Sequence, residues 1–238
     1  MEDHKTPELS DQLSKRIRLV RRDMGSMLFH FTRASTEKFL KISTGENSSM
    51  HTTGSASGVL NKILHESKLI GTSSWTYGFP SISFTEAPIQ EFNSIFSLAE
   101  IAATEDERPR YEPYGIAVSK EWLFKQGGRP VIYGHPSELS EMKESQKYRF
   151  VPYDPTNGTD FTWEREWRIN TESLQLDPEH TLVVLPTSEE AFELVYGFSN
   201  EVPDWDVEGS RGPAYIAGSY NEPKWLAVSL DLFGFKYY

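Results

Sequence analysis

The sequence contains no cysteine among its 238 residues. That absence excludes disulfide bonds, thiolate zinc sites, iron–sulfur clusters and thiol nucleophiles. Long apolar runs are missing too, since no stretch reaches the roughly 18 consecutive apolar residues that a membrane-spanning helix requires. Together with a polar amino terminus, these absences predict a soluble protein of the cytoplasm.

Basic residues are scarce, with 24 Lys and Arg against 35 Asp and Glu and a formal net charge of -11. Clustered basic side chains drive nucleic-acid binding by releasing counterions, so this balance argues against wholesale wrapping of nucleic acid. The amino-terminal helix predicted to begin at Thr6-Pro7-Glu8 is the exception, because it carries Lys15, Arg16, Arg18, Arg21 and Arg22. This basic run is either a solvated helix face or an edge that meets phosphate or a protein partner.

Several well-known functional motifs are also missing. Neither a P-loop nor G-x-G-x-x-G occurs, and no G-x-S-x-G marks a hydrolase nucleophile. The six histidines are scattered along the chain, which predicts no metal site. The side chains left for chemistry are therefore mainly carboxylates and hydroxyls.

The apolar pattern predicts short strands mixed irregularly with short helices. Strands are predicted over 27–32, 81–85, 114–119, 130–133, 161–169 and 181–185. Helices are predicted over 59–64, from 87 onward, at 120–122, near 137–147 and over 189–196, with a mobile Ser, Thr and Gly-rich loop over 43–58. This irregular order favours an α+β fold over a doubly wound sheet.

The segment FTWEREWRI holds the strongest candidate for chemistry. In a strand, Glu164 and Glu166 project to the same face about 7 Å apart. Two acids on one buried face repel each other and raise each other's pKa, which predicts that the Glu166→Gln protein melts no lower than the wild type. The alternative is an exposed pair that meets Lys or Arg of a neighbouring strand. A Glu166→Gln protein that melts several degrees lower would mean that Glu166 is structural and paired with an Arg such as Arg168 or Arg149.

Polar side chains in two other predicted strands are weaker candidates. His30 lies in an apolar strand, where it is either a satisfied core histidine or a functional one. Ser83 and Thr85 alternate with Ile82 and Phe84, as ordinary half-buried hydroxyls also do.

The order of these segments resembles a known family. LFHFT, VLNKILHESKLIG, SISFTEAP, YGIAVSKEWLFKQGGRPVIY and EREWRI follow one another as in the AbiGi-type abortive-infection family of bacterial phage-defence proteins. The His, hydroxyl and Glu strands are more distantly similar to the ADP-ribosyltransferase superfamily, including the DarT toxins and the poly-ADP-ribose polymerase branch. The resemblance implies a split β-sandwich of two small sheets with flanking helices over 27–238. Within it, 27–186 form the core and 187–238 an extension, and the basic helix occupies 1–26.

The resemblance also implies roles for individual residues. Such enzymes use NAD as a co-substrate in a cleft between two sheets and break its nicotinamide glycosidic bond through an oxocarbenium-like transition state. Glu166 is then the carboxylate that stabilises this charge and Glu164 the acid that orients or deprotonates the acceptor, although a shift of register exchanges the two roles. His30 is expected to bind a ribose hydroxyl, with Phe31 and Thr32 beside it in the cofactor site. Ser83 and Thr85 are expected to line the nicotinamide end, and Phe84 to fill the core or the pocket wall.

This chain departs from the family at one position. No Tyr lies on SISFTEAP to cover the nicotinamide, so Phe92 or Phe96 is expected to stack there instead. The acceptor of ADP-ribose is a nucleic acid or a protein, and Trp75, Tyr77 and Phe79 are available to stack unpaired bases. The implied function is an ADP-ribosyltransferase toxin of a phage-defence or toxin–antitoxin system, with an antitoxin as partner.

Two alternatives to this toxin stay open. One is a catalytically inactive scaffold of the same type that serves as an antitoxin or sensor. The other is a nuclease toxin that uses His30 and Glu164 as acid and base.

Overall fold

The computed structural model describes residues 25–34, 54–96, 111–196 and 224–236. In these segments, the α-helices with defined ends are α1 (Ala56–Glu66), α2 (Lys120–Lys125) and α3 (Ser188–Tyr196), and residues 92–96 are also helical. The strands are β1 (Met27–Phe31), β2 (Lys68–Ile70), β3 (Ser81–Thr85), β4 (Gly115–Ser119), β5 (Arg129–Pro130), β6 (Ile132–Gly134), β7 (Phe150–Pro152), β8 (Glu166–Asn170), β9 (Ser173–Gln175), β10 (Thr181–Leu185) and β11 (Leu226–Ser229).

Hydrogen bonds join seven of these strands into one mixed sheet in the order β11-β10-β4-β1-β3-β8-β5. β3 pairs antiparallel with both β1 and β8, whereas β10 and β11 run parallel. The remaining strands form the two-stranded pairs β2-β9 and β6-β7. The predicted α+β class is confirmed by this mixture of strands and short helices.

The described residues belong to two compact units. The first unit comprises 25–30, 69–92 and 118–174, and the second comprises 31–34, 54–68, 93–96, 111–117, 175–196 and 224–236. In the first unit, the apolar residues of β3 and β8 are buried together with aromatic side chains, and the core includes Phe29, Ile82, Phe84, Phe92, Phe150, Trp167 and Ile169. These strands provide the rigid frame for the candidate site.

The second unit buries the inner face of α1 and most of β10. Its core includes Leu60, Leu64, Tyr114, Ile116, Val183, Val184 and Leu230. Ser55 is the N-cap of α1 and accepts a hydrogen bond from the Gly58 N–H at 3.1 Å, as capping serines do. Helix α1 therefore starts inside the segment that was predicted to be a mobile loop, whose first residues lie outside the described ones.

Most predicted elements within the described residues are confirmed, including β1, β3, β4, β10 and α3. The predicted strand over 161–169 is wrong in its first half. Thr162–Glu164 form a 3₁₀ turn, Arg165 has a left-handed backbone with φ 45°, and the strand begins only at Glu166. The predicted basic helix lies outside the described residues.

Among the described residues, none of the helices combines the length and the apolar character needed to cross a bilayer.

Candidate active site on strands β3 and β8

Glu166, the first residue of β8, forms a two-point ion pair with Arg168. The Arg168 Nε donates to Glu166 Oε1 at 2.7 Å, and Nη2 donates to Oε2 at 3.0 Å. Only 10% of the Glu166 side chain and 8% of the Arg168 side chain are exposed. A buried pair with this fork geometry fixes the orientation of the carboxylate. It also removes the basis for expecting Glu166→Gln to melt no lower than the wild type, because the acid has a cation beside it.

Arg168 is itself anchored by backbone oxygens. Its Nη1 donates to the carbonyls of Tyr148 at 2.9 Å and Phe150 at 3.1 Å. Tyr77 lies close to the same guanidinium, and its ring centroid is 6.1 Å from that of Phe150. Burial raises the pKa of Tyr77, while the nearby Arg168 charge opposes that rise. A half-exposed tyrosine therefore borders the ion pair.

Strand register places the two hydroxyls of β3 beside this pair. Thr85 is directly opposite Glu166, and Ser83 is directly opposite Arg168. Because directly opposed residues of antiparallel strands share a face, all four side chains lie on one face of β3 and β8. Ser83 is exposed and Thr85 half-buried, whereas Glu166 and Arg168 are buried, so solvent reaches this face at Ser83.

Glu164 lies on the turn that precedes β8 and not on the strand itself. Its side chain is buried, with 4% of the residue exposed. Its backbone carbonyl accepts a hydrogen bond from Thr85 Oγ1 at 2.5 Å. The predicted strand geometry for Glu164 and Glu166 is therefore wrong, because the left-handed Arg165 turns the chain between them.

Tyr133 links the turn to the strand. Its hydroxyl accepts a hydrogen bond from the Glu166 backbone N–H at 3.2 Å and donates to the Phe161 carbonyl at 3.2 Å. Burial raises the pKa of Tyr133, and the Glu166 and Glu164 carboxylates act in the same direction, whereas the Glu166 N–H and Arg168 oppose it. Both acids are thus near one tyrosine hydroxyl, which stays protonated at neutral pH.

His30 lies on the opposite face of the sheet from Glu166. Phe29 is the residue opposite Thr85, so its neighbour His30 points to the other side, where its ring is 5.7 Å from Phe84. His30 Nδ1 donates to the Ser83 carbonyl at 2.8 Å, which leaves Nε2 as the lone-pair nitrogen of the neutral ring. Burial lowers the His30 pKa, and the bond to Ser83 only partly offsets this. The structure brings His30 together with Phe84 and not with Glu166.

A second charge cluster, which is half-buried, lies at the end of β3. Glu86 pairs with Lys120 and accepts a hydrogen bond from Trp167 Nε1 at 2.9 Å. Trp167 is the residue opposite Phe84, so this cluster shares the face of His30. The two faces of β3 and β8 therefore carry two separate polar clusters.

The aromatic residues predicted to stack on nicotinamide are core residues. In the first unit, Phe92 makes an edge contact with Phe29 at 4.8 Å. In the second unit, Phe96 contacts Phe31 at 5.0 Å in the same manner. Both Phe92 and Phe96 are buried, so their rings pack in apolar cores and do not line an open pocket.

Thr32 has a structural role in the second unit. Its hydroxyl lies 2.8 Å from the Ala56 carbonyl and 3.0 Å from the Tyr114 carbonyl. The residue is 4% exposed, so its only O–H is directed at backbone oxygens and not at a ligand. The expected place of Thr32 in the cofactor site has no counterpart in this arrangement.

Three residues at the site were missed as site residues by the sequence reasoning. Arg168 was named only as a conceivable partner of Glu166, although its spacing of two in a strand was the available signal. Tyr133 ends the RPVIY segment and carried no motif of its own. Tyr77 was considered only for base stacking, because its left-handed backbone, φ 55°, and its position beside Arg168 are tertiary features.

In the part of the chain that the structure describes, no group of three or more His, Asp or Glu side chains could hold a metal ion. Comparisons with protein-family models, curated proteins and solved structures found no match to this chain. The resemblance to the AbiGi-type family accordingly stays a prediction from the sequence.

Proposed function

We propose that the chain is a cytoplasmic NAD-dependent ADP-ribosyltransferase toxin of a bacterial phage-defence or toxin–antitoxin system. The observation that carries the proposal is the buried Glu166 carboxylate, which is held by Arg168 beside the hydroxyl-bearing face of β3. The strands expected to carry His, hydroxyl and Glu residues are also neighbours in the order β1-β3-β8. We include the transferase-like split β-sandwich in the proposal.

The reaction would break the bond between the ribose and nicotinamide of NAD, and nicotinamide would leave with the bonding electron pair. Glu166 has two lone-pair positions left after binding Arg168, so it can accept the ribose 2′-hydroxyl and stabilise the positive ribose. The acceptor then bonds to the ribose carbon and gives its proton to Glu164. Ser83 and Tyr77 would border the nicotinamide end, with Tyr77 in the stacking role that Phe92 and Phe96 do not fill.

A second candidate is the catalytically inactive scaffold that serves as an antitoxin or sensor. The same ion pair favours it, because a guanidinium at 2.7 Å from Glu166 compensates much of the negative charge that a transition state needs. The transferase and the inactive scaffold would therefore share this geometry, and they would differ in whether the protein consumes NAD.

The acceptor we favour is a nucleic acid, with protein as the alternative. The connection between β2 and β3 exposes 82% of Trp75. Flat aromatic rings that are exposed on a loop stack readily on unpaired bases. We therefore expect Trp75→Ala to reduce acceptor labelling more than NAD consumption.

The first experiment incubates the purified full chain with ³²P-labelled NAD and total RNA, DNA or protein. We expect label to be transferred to one acceptor class by the wild type and lost in Glu166→Gln and Glu164→Gln. Glu172→Gln is the matched control, since Glu172 is exposed and lies just beyond β8. RNA scission without labelling would favour the nuclease alternative, and no NAD consumption with any acceptor would remove the transferase proposal.

Growth on induction separates the toxin from the inactive scaffold. A transferase toxin should arrest growth, and Glu166→Ala should relieve the arrest at an equal level of soluble protein. Harmless wild-type protein would favour the antitoxin or sensor.

A further inference from the structure

We propose that Thr85 and Tyr133 are positioning residues whose hydroxyls fix the turn of residues 161–166 and, through it, the Glu164 carboxylate. The catalytic consequence rests on the proposed function. The restraint of the turn is a property of the fold and stands apart from NAD chemistry.

The turn has a conformation that its own sequence does not favour. Its internal hydrogen bonds run from the Glu164 N–H to the Phe161 carbonyl and from the Arg165 N–H to the Thr162 carbonyl, both at 3.1 Å. Arg165 then adopts φ 45°, a region that residues with a Cβ enter at a cost. Such a backbone persists when surrounding groups over-determine it, and strained residues of this kind cluster at functional sites.

The end of β3 holds the middle of the turn. Thr85 Oγ1 donates to the Glu164 carbonyl at 2.5 Å and accepts from the Ala87 N–H at 3.1 Å. The neighbouring Glu86 N–H donates to the Arg165 carbonyl at 3.3 Å. Two successive carbonyls of the turn are thus bound by the last residue of β3 and the residue that follows it.

Tyr133 holds the two ends of the turn. A single hydroxyl donates to the Phe161 carbonyl and accepts from the Glu166 N–H. Its raised pKa keeps the proton in place at neutral pH, so both bonds persist there. The turn is therefore fixed at Phe161, Glu164, Arg165 and Glu166 by groups outside it, and the buried Glu164 side chain inherits that fixed backbone.

This arrangement gives Thr85 a different role from the one predicted from the sequence. The hydroxyl was expected to line the nicotinamide end, but its only proton is directed at the Glu164 carbonyl. We assign Thr85 to the positioning of Glu164 and leave the exposed Ser83 hydroxyl for the ligand.

The primary test is hydrogen exchange of the 161–166 backbone in the full-length protein, measured by mass spectrometry below the melting temperature of every variant. Thr85→Val keeps the side-chain shape and removes the donor, and Tyr133→Phe removes the bridging hydroxyl. We expect each to speed exchange in this segment about five- to tenfold, the loss equivalent to one hydrogen bond. Thr85→Ser should restore the wild-type rate.

Two matched controls remove hydroxyls elsewhere in the same unit. Thr72→Val changes an exposed threonine, and Tyr153→Phe changes a half-buried tyrosine outside the turn. Both should leave exchange of 161–166 unchanged. Wild-type exchange in Thr85→Val and Tyr133→Phe would overturn the proposal.

The kinetic test asks whether the restraint serves catalysis. We expect kcat for NAD consumption to fall about tenfold in Thr85→Val with an unchanged KM, and Thr85→Ser to recover it. Faster exchange with wild-type kcat would overturn the catalytic part of the proposal. If the wild type consumes no NAD, the proposed function fails, and the exchange measurement still decides whether the two hydroxyls fix the turn.

Discussion

Glu166 and Arg168 lie two residues apart on one strand, and each offsets part of the cost of burying the other. Removing one partner of a buried ion pair leaves the other charge uncompensated. Glu166→Gln should therefore lower the free energy of unfolding by roughly 3 kcal/mol, the lower end of that effect, because the amide keeps one hydrogen bond. Urea unfolding of the purified variant measures this change.

The control for this prediction is Glu172→Gln, an exposed site that should change stability very little. Changing both partners, Glu166→Met with Arg168→Met, should recover much of the loss, since a buried pair and an apolar pair of similar volume are often comparable in stability. A Glu166→Gln protein as stable as the wild type would show that the pair contributes no stability.

His30 makes stability depend on pH. Burial lowers its pKa in the folded protein below the ordinary value of about 6.5. As the pH falls through the ordinary value of about 6.5, His30 of the unfolded chain binds a proton that His30 of the folded chain does not bind. The free energy of unfolding therefore decreases on acidification. His30→Gln keeps a donor for the Ser83 carbonyl and cannot titrate.

We expect the stability difference between wild type and His30→Gln to shift against the wild type between pH 7.5 and pH 5.5. Unfolding by urea at both values measures the shift. Parallel loss of stability in the two proteins would assign the acid sensitivity to other groups.

At the residue scale, the sequence predicted which side chains share a strand face better than which side chains pair with each other. The alternation in SISFT placed Ser83 and Thr85 on one face, which the register with β8 confirms. The pairing of Glu166 with Arg168 was open in the sequence, because spacing alone does not say which of several cations turns toward an acid. The sequence also could not predict that Phe92 and Phe96 are buried in the core, since apolar residues occur both in cores and in the walls of pockets.

At the scale of elements, the turn before β8 differs most from its prediction. FTWEREWRI alternates well enough to be a strand throughout, yet its first half bends at Arg165. The competing interactions come from Thr85 and Tyr133, which are 80 and 32 residues away from Arg165 along the chain. The periodicity of a short segment cannot predict hydrogen bonds from residues so far away along the chain.

Gly71 allows the backbone to pass close to Thr171 and Ser81, because it has no side chain. A Cβ at this position would lie 2.1 Å from the Thr171 carbonyl oxygen and 3.2 Å from the Ser81 nitrogen. Gly71→Ala must therefore separate backbone atoms at the ends of β2, β3 and β8, and overpacking of this kind costs roughly 1–3 kcal/mol or more. Thermal unfolding should show a clearly lower Tm.

Gly25→Ala is the control for this change, because its nearest contact would be an ordinary 3.4 Å. An unchanged Tm in Gly71→Ala would mean that the backbone there yields without cost.

At the scale of the whole molecule, the fold class was predictable and the sheet order was not. Irregular spacing of short elements was sufficient for α+β. The order β11-β10-β4-β1-β3-β8-β5 depends on which distant strands pair, and no local pattern specifies that.

The uneven charge of the chain makes a prediction for the acceptor. Alanine replacement of Lys15, Arg16, Arg18, Arg21 and Arg22 should weaken acceptor modification and flatten its salt dependence, with NAD hydrolysis unchanged. Labelling assays at low and moderate salt measure both activities. Equal loss of labelling and hydrolysis would show that the basic run does not act on the acceptor.

The sheet order also bears on how the chain reaches its native state. The earliest of the described strands, β1, lies between β3 and β4, and β4 ends only at Ser119. About half of the chain must therefore leave the ribosome before β1 can pair with both of its neighbours. Strand β10 cannot pair with β11 until residues 226–229 have been synthesised. Such distant pairings slow folding and expose apolar strand edges meanwhile. We therefore expect this protein to need chaperones during synthesis more than a helical bundle of equal length would.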